Sequence, residues 1–461
     1  MPQETLVREE DLGLLVDLYE LTMIQAYWAE GMNETASFSL FFRTLPPGRN
    51  YMLACGQQHV ARLATQLRFG ERQIDKLRSL GLFEEDFLEW LAGFRFSGDI
   101  HAVQEGTPLF PQEPLLEIEA PIAEAQLLES LVMNYVHLET VLASKASRLV
   151  NAAQGRGVVD FGMRRMHGID AAVRGVRAYH IAGLAGTSNV LGSVTYGLDA
   201  QGTMAHSYVQ AHGNEDEALL AFARRYPGTT LLVDTYDTVA AVKRLIERMA
   251  EAPSLDIGAI RLDSGDLEQL AKTCRRLLDE AGHQSIKIIA SGGLNEHSIR
   301  ELVVNGAPID GFGVGTSLGA SSDSPCLELA YKLTEYADEP RLKHSPGKHS
   351  LPGRKQIYRE QTADGRYHCD HLTLRDEQAP GTALLRPIVT KGDFQEAAMA
   401  SPDAARHASL DSVSRLPPEL RSLVETRTYN VTISDKLHER RRLAESRLGV
   451  IQRQDGGETE V

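Results

Sequence analysis

The sequence predicts an α/β protein: an irregular, TIM-like α/β barrel with an N-terminal α+β domain that is completed by C-terminal segments. Two observations predict it. Seven short, β-branched segments between residues 157 and 319 each end in a polar or glycine-rich turn. Their landmarks recur at strand-plus-helix intervals: 29 residues from Asp234 to Asp263, 29 from Asp263 to Gly292 and 23 from Gly292 to Gly315. Parallel strands need helical crossovers of that length, and seven strand ends favour a barrel over an open sheet.

In chain order, residues 1–130 read as the α+β domain. "DLGLLVDLYELTMIQAYWAEGM" has helical apolar spacing, whereas "ASFSLFFRTLP" and "FSGDIHAVQEGTPLFPQEPLLEIEAP" read as strands. Residues 131–335 read as the barrel. A long helix through "AEAQLLESLVMNYVHLETVLASKASRLVNAAQ" leads into "GVVDFGMRR", "AGLAGTSN", "AQGTMAHS", "TTLLVDTYDT", "GAIRLDSGDL", "KIIASGGL" and "IDGFGVGTSLG". Amphipathic stretches such as "EQLAKTCRRLLDEAG" fill the gaps. Residues 336–461 read as a segment packing back on the N-terminal domain, ending in a charged helix and the polar tail "DGGETEV". Within it, "HSPGKHSLPGRKQIYRE" reads as a solvated basic hairpin.

The composition is that of a soluble enzyme, with 42% hydrophobic and 24% charged residues in 461. A net charge of −15 argues against nucleic-acid or anionic-membrane surfaces and leaves room for a local basic pocket. Cys55, Cys274, Cys326 and Cys369 form no CxxC pair and no ligand spacing with histidine, so neither disulfides nor a zinc module is expected. The N-terminus is too acidic for a secretory signal, no apolar run approaches a membrane span, and the expected compartment is the cytoplasm.

In a parallel barrel the turns after the strands gather at one rim, so chemistry dispersed in sequence meets in space. His206, in "GTMAHSYVQAH", falls on that rim, where a packing residue, a metal ligand or a reagent are all open readings. "IRLDSGDL" offers Arg261, Asp263, Ser264 and Asp266, suited to a sugar diol, a magnesium ion and a phosphate, against the alternative of an Asp-Ser-Gly turn capping the next helix. Gly292 and Gly293 in "SGGL", with Gly315 and Thr316 in "GVGTS", leave backbone N–H groups free for a phosphate, or are tight turns only. "DFGMRRMHG" adds Phe161 as a face for a flat ring, and Arg164 and Arg165 as cations for a carboxylate or phosphate, unless these are a core ring and two solvated arginines. In "DTYDT", Asp234 and Asp237 are candidates for metal binding, with Asp237 read rather as a helix cap. No Walker-type loop, GxSxG elbow or HExxH helix is present.

Taken in order from about residue 11 to residue 390, "VDLYELTMIQAYWAEGM", "FSLFFRTLP", "FGMRRMHG", "GLAGTSNVLG", "GTMAHSYV", "TLLVDTYDT", "IRLDSGDL" and "FGVGTSLG" closely resemble the nicotinate phosphoribosyltransferases. The resemblance implies that nicotinate attacks C1 of 5-phosphoribosyl-1-pyrophosphate, giving nicotinate mononucleotide and pyrophosphate, with Mg²⁺ and ATP hydrolysis, as an entry to NAD. It implies that His206 is the histidine transiently phosphorylated by ATP, and that Arg261 and Mg²⁺ neutralise phosphate charge. It further implies that Tyr19 and Phe161 take opposite faces of the base, Tyr19 reaching across a homodimer into a neighbouring subunit's pocket. Arg164, with Arg165 beside it, pairs with the carboxylate or phosphate. Thr187 and Ser188 sit beside the base, Asp263 holds the ribose hydroxyls, and Gly292, Gly293, Gly315 and Thr316 bind the 5′-phosphate. "GMRRMHG" and "ASGGL" depart from the "GLRRAQG" and "ASNDL" of many relatives. Two alternatives remain: a nicotinamide-using relative, which tends to carry Asp where this chain has Ser188, and a catalytically silent nucleotide-binding paralogue.

Overall fold

The computed structural model describes residues 9–343 and 350–448, with the side chains of Glu9 and Glu10 excepted. Residues 344–349 of the basic segment 343–356 and the polar tail lie outside that range; in the described remainder Lys355 is buried against Glu117 and not solvated. Among the described residues no helix is long and apolar enough to cross a membrane. The chain divides into two compact units, one made of residues 1–141 and 326–461 and one of residues 142–325.

The first unit is built on a seven-stranded sheet whose order interleaves the two ends of the chain. Thr35–Phe42 lies between Pro114–Pro121 and Leu329–Tyr336, and Asp99–Ala102 lies between Pro114–Pro121 and Arg386–Thr390. The C-terminal strands thus complete the N-terminal sheet. Apolar residues drive the assembly: Phe38 stacks on Tyr331 with ring centroids 4.8 Å apart, and Leu40, Phe42, Ile118 and Val389 are fully buried around them. A smaller four-stranded sheet in the same unit joins Thr382–Ala383, Lys355–Gln361, Tyr367–Leu374 and Val431–Ile433 in that order. One side of this sheet holds the buried ion pair of Arg359 and Asp370, bonded through two guanidinium nitrogens.

The second unit carries six parallel strands: β1 (Gly157–Asp160), β2 (Gly186–Thr187), β3 (Thr229–Leu232), β4 (Ile257–Leu262), β5 (Lys287–Ala290) and β6 (Gly311–Val314). Their order is β2-β1-β6-β5-β4-β3. Helices follow the strands: α1 (Ile169–Ile181), α2 (Val190–Tyr196), α3 (His206–Gln210), α4 (Glu215–Arg225), α5 (Thr238–Glu251), α6 (Leu267–Glu280), α7 (Glu296–Val304) and α8 (Thr316–Gly319). Fully buried Val233, Ile260, Leu262, Ile288 and Val314 give the sheet its apolar layer.

Six of the seven expected strand segments form strands; "AQGTMAHS" does not. It makes one isolated bridge, Ala200 with Thr187, and then gives its polar groups to a side chain, Thr203 Oγ1 and Met204 O both accepting from Arg261. β2 and β3 therefore remain the two edges of a curled half-barrel. The irregularity of the barrel is this gap, and the 200–205 segment crosses it, bridged to β2 at Thr187 and bonded to Arg261 on β4.

Candidate active site

The turns that follow β1, β2, β4, β5 and β6 open on one cavity of about 1120 Å³. Phe161, Arg164, Arg165, Ser188, His206, Arg261, Asp263, Gly292, Gly293, Gly315 and Thr316 all line it. Tyr19, Thr187, Ser264 and Asp266 do not. Tyr19 belongs to the other unit, where the residue is 47% exposed.

Arg261, near the end of β4, organises the floor. Its Nε donates to Ser291 Oγ at 2.7 Å, one terminal nitrogen donates to Thr203 Oγ1 at 2.8 Å and the other to Asp263 Oδ1 at 2.5 Å. Ser291 Oγ in turn donates to Asp263 Oδ1 at 2.5 Å. Partial burial works to raise the Asp263 carboxyl, but the hydrogen bonds from Ser291 and Arg261 and the nearby charges of Arg261 and His206 outweigh it and hold it below the usual carboxylate range. The acid thus stays ionised, with Oδ2 outside this network and 3.9 Å from His206 Nε2. The guanidinium also lies 5.3 Å from the centre of the Phe161 ring, a cation against an aromatic face. Most of its donors are committed within the protein, so it orients Asp263 and Phe161 more than it offers a free cation. By contrast, the side chains of Arg164 and Arg165, in the short 3-10 turn Met163–Arg165, are exposed and make no hydrogen bond or ion pair with another described residue.

His206 opens α3, its backbone freed from any strand by the loop before it. Nδ1 lies 3.2 Å from Thr235 Oγ1 and Nε2 lies 3.9 Å from Asp263 Oδ2, with 41% of the side chain exposed. Thr235 thus orients the ring through Nδ1 and leaves Nε2 as the nitrogen on the Asp263 side of the cavity that His206 lines. The bland reading of a packed core histidine does not apply.

The glycines act through space as well as conformation. Gly292 has φ of +88°, and a Cβ there would lie 1.7 Å from the Asp263 carbonyl oxygen, so the turn after β5 presses directly on the turn after β4. Gly313, inside β6, lies under the Phe161 ring, where a Cβ would come within 2.3 Å of Cε2. Gly313 escapes sequence reasoning because nothing local distinguishes it from a strand glycine. Beyond Gly293, Asn295 and Ser298 make a reciprocal cap on α7, and the N–H groups of Gly292 and Gly293 before it bond to no other described residue.

Several residues work behind the lining. Asp160 at the end of β1 accepts from Thr187 Oγ1 and from Gly162 N, both at 2.7 Å, so Thr187 ties β1 to β2. Burial raises the Asp160 carboxyl despite these bonds. Asp234 Oδ2 accepts from Asp263 N and Ser264 Oγ, each at 2.8 Å, and fixes the turn after β4; its Oδ1 is buried with no hydrogen-bond partner. Asp266 caps α6 through Gln269 N and Asp237 caps α5 through Ala240 N. Glu296, the first residue of α7, is buried against Lys145 Nζ at 2.5 Å and Arg148 Nε at 2.9 Å, anchoring the turn that carries Gly292 and Gly293. Thr203, Thr235, Ser291, Asp160 and Glu296 were not singled out from sequence; isolated polar residues beside motifs carry no periodic signal.

The chain matches known proteins along most of its length. A profile described as nicotinate phosphoribosyltransferase N-terminal domain matches residues 14–137, and one described as the nicotinate phosphoribosyltransferase family matches residues 157–365. A nicotinate phosphoribosyltransferase of Mycobacterium tuberculosis is 49% identical over 433 residues, 94% of this chain and 93% of that one. One from Bacillus subtilis is 36% identical over 389 residues, 82% of this chain and 79% of that one. Among solved structures, human nicotinic acid phosphoribosyltransferase superposes with a TM-score of 0.82 at 26% identity, covering 93% of this chain and 99% of that one.

Proposed function

The chain belongs to the nicotinate phosphoribosyltransferase family, and from that premise we propose that it makes nicotinate mononucleotide and pyrophosphate from nicotinate and 5-phosphoribosyl-1-pyrophosphate, in NAD biosynthesis. The observation that carries the reading is the convergence, on one cavity, of an aromatic face at Phe161, an ionised Asp263 and two glycine turns whose N–H groups at Gly292, Gly293, Gly315 and Thr316 bond to no other described residue.

In the transfer, the ring nitrogen of nicotinate forms a bond to C1 of the ribose as the C1–O bond to pyrophosphate breaks. Ribose gains oxocarbenium character, and the site must hold both partners in line while stabilising separated charge. Phe161 would take one face of the base and Ser188 its edge, with Thr187 holding Ser188's strand in place. Arg164 and Arg165, the uncommitted cations, would meet the carboxylate or a phosphate. Asp263 would accept from the ribose hydroxyls, with Ser264 and Asp266 shaping its turn. The backbone at Gly292–Gly293 and Gly315–Thr316 would receive the 5′-phosphate.

For Mg²⁺, the donor set fits: Asp263 is held ionised, and Asp234 has a buried oxygen without a partner. These two carboxylates would hold the ion, which would neutralise charge on the pyrophosphate. His206 Nε2 would take the γ-phosphoryl group of ATP, the P–N bond forming as the bond to ADP breaks, with Thr235 orienting the ring. Tyr19, exposed on the other unit, would cover the second face of the base from a homodimer partner. Ser188 leaves room for a carboxylate and favours the acid over the amide. The partners are thus small molecules in the cytoplasm.

The test is one assay: labelled nicotinate, phosphoribosyl pyrophosphate and Mg²⁺, with and without ATP, beside His206→Ala and a parallel nicotinamide reaction. Nicotinate mononucleotide formed faster with ATP, the ATP effect vanishing in His206→Ala, is the expected result. No product from either base overturns the enzymatic reading, and product from nicotinamide alone overturns the substrate.

A further inference from the structure

Outside the cavity, the small four-stranded sheet carries a second cluster of chemically capable side chains. Glu360 pairs directly with Cys369 across the antiparallel strands Lys355–Gln361 and Tyr367–Leu374, and His371 lies two residues beyond Cys369. Side chains alternate along a strand and match across a pair, so all three project from one face, opposite that of Arg359 and Asp370. Glu360 Oε2, Cys369 Sγ and His371 Nε2 form a triangle with edges of 3.4 Å between oxygen and sulfur, 3.5 Å between sulfur and nitrogen, and 3.2 Å between nitrogen and oxygen.

We propose that this triangle is a zinc(II) site, with Glu360, Cys369 and His371 as ligands and water in the fourth position. Tetrahedral zinc, with bonds of about 2.3 Å to sulfur, about 2.0 Å to nitrogen and about 2.1 Å to oxygen, spaces those ligand atoms roughly 3.3–3.6 Å apart. The three edges, 3.2–3.5 Å, lie within about 0.2 Å of those spacings. A mixed sulfur, nitrogen and oxygen set on a rigid hairpin suits borderline-soft zinc better than magnesium or calcium.

Thr432 Oγ1 donates to the Asp370 carbonyl at 3.3 Å and lies 2.8 Å from His371 Nδ1, a hydrogen-bond partner for the ring nitrogen that faces away from the triangle. Hydrogen bonding of the far nitrogen is how metal-bound histidines are generally oriented. Cys369 is 5% exposed, while Glu360 and His371 retain 39% and 23% of their side-chain exposure, an open edge for the ion to enter. Occupied, the site would clip the two hairpin strands together and, through Thr432, fasten Val431–Ile433 beside them. The spacing escapes a motif search because one ligand comes from across a hairpin.

The test uses full-length protein stripped with chelator and titrated with cobalt(II), in a Cys326→Ser background that removes the exposed thiol. One equivalent is expected to bind with a near-ultraviolet sulfur-to-cobalt band that zinc then abolishes. Cys369→Ser should remove the band, and Thr432→Val, which leaves all three ligands, should weaken binding by about 10–100-fold. Zinc should raise the melting temperature of the parent and not of Cys369→Ser. Absence of the band in the parent overturns the site and leaves a proton between His371 and Glu360 as the occupant. A band surviving Cys369→Ser also overturns it. These readouts do not depend on the nicotinate reaction.

Discussion

Gly292 and Gly293 offer a paired experiment in which backbone strain is held constant and space is varied. Both have positive φ, +88° and +66°. Placing alanine in that region costs about 1–2 kcal/mol in each case. At Gly293 a Cβ meets nothing within 4 Å, so Gly293→Ala carries only this term and should lower the melting temperature by about 2–4 °C per kcal/mol. At Gly292 the Cβ would lie 1.7 Å from the Asp263 carbonyl oxygen, half of an ordinary 3.4 Å contact. The turn after β4 must then retreat by more than an ångström, taking the Asp263 carboxylate out of register with Ser291 and Arg261. Displacements of about 1 Å at a reacting centre cost on the order of 10²-fold, or about 2.7 kcal/mol of transition-state stabilisation. Steady-state kinetics with saturating nicotinate and varied phosphoribosyl pyrophosphate should show kcat/KM about 10²-fold lower in Gly292→Ala than in Gly293→Ala. Equal kcat/KM in the two variants would refute the argument that the two turns are in compression.

Further expectations concern single interactions. Thr235→Val removes the partner of His206 Nδ1, worth about 1 kcal/mol, and should slow phosphate incorporation from labelled ATP about 5-fold while leaving the ATP-free rate unchanged. In Ser291→Ala, Asp263 loses a short hydrogen bond; the acid limb of kcat/KM against pH should move to higher pH, and an unmoved limb would remove Ser291 from the network. Arg359→Met strands the buried Asp370 carboxylate and should destabilise the first unit by about 3–5 kcal/mol in urea unfolding, whereas a change below about 1 kcal/mol would mean the pair is solvated. Burial and the Arg375 charge push His101 down to about 4, its Nδ1 accepting from Arg375 at 2.9 Å. The unfolded state binds that proton first, so this stability is whole above about pH 6.5 and is lost as pH falls toward 4, by up to about 3 kcal/mol. His101→Gln should flatten the fall; a parallel pH profile would contradict it.

The sequence carried the alternation of strands and crossover helices because each unit is local, a few tens of residues with its own apolar period. The glycine turns and His206 were readable for the same reason, being the points where that period stops. What was hidden depends on neighbours distant in the chain. Thr203 and Ser291 matter because β4 lies beside β5 and the 200–205 loop crosses the gap, and both contacts are made to Arg261. "AQGTMAHS" reads as a strand by its apolar content, yet its polar groups are spent on Arg261. Asp266 shows the converse: in sequence it shares a motif with Asp263, while in space it turns to the next helix's N–H groups.

The interleaved sheet of the first unit has a consequence for how the chain is made. Phe38 pairs with Leu333, 295 positions later. At synthesis rates of about 5–20 residues per second, Thr35–Phe42 waits roughly 15–60 s on the ribosome before its partner exists. For that interval a strand rich in phenylalanine has an unpaired edge, the exposure from which chains aggregate. The second unit, contiguous from 142 to 325, can fold meanwhile. Truncation before Leu329 makes the exposure permanent, and such a fragment should bind holdase chaperones where the full chain is released.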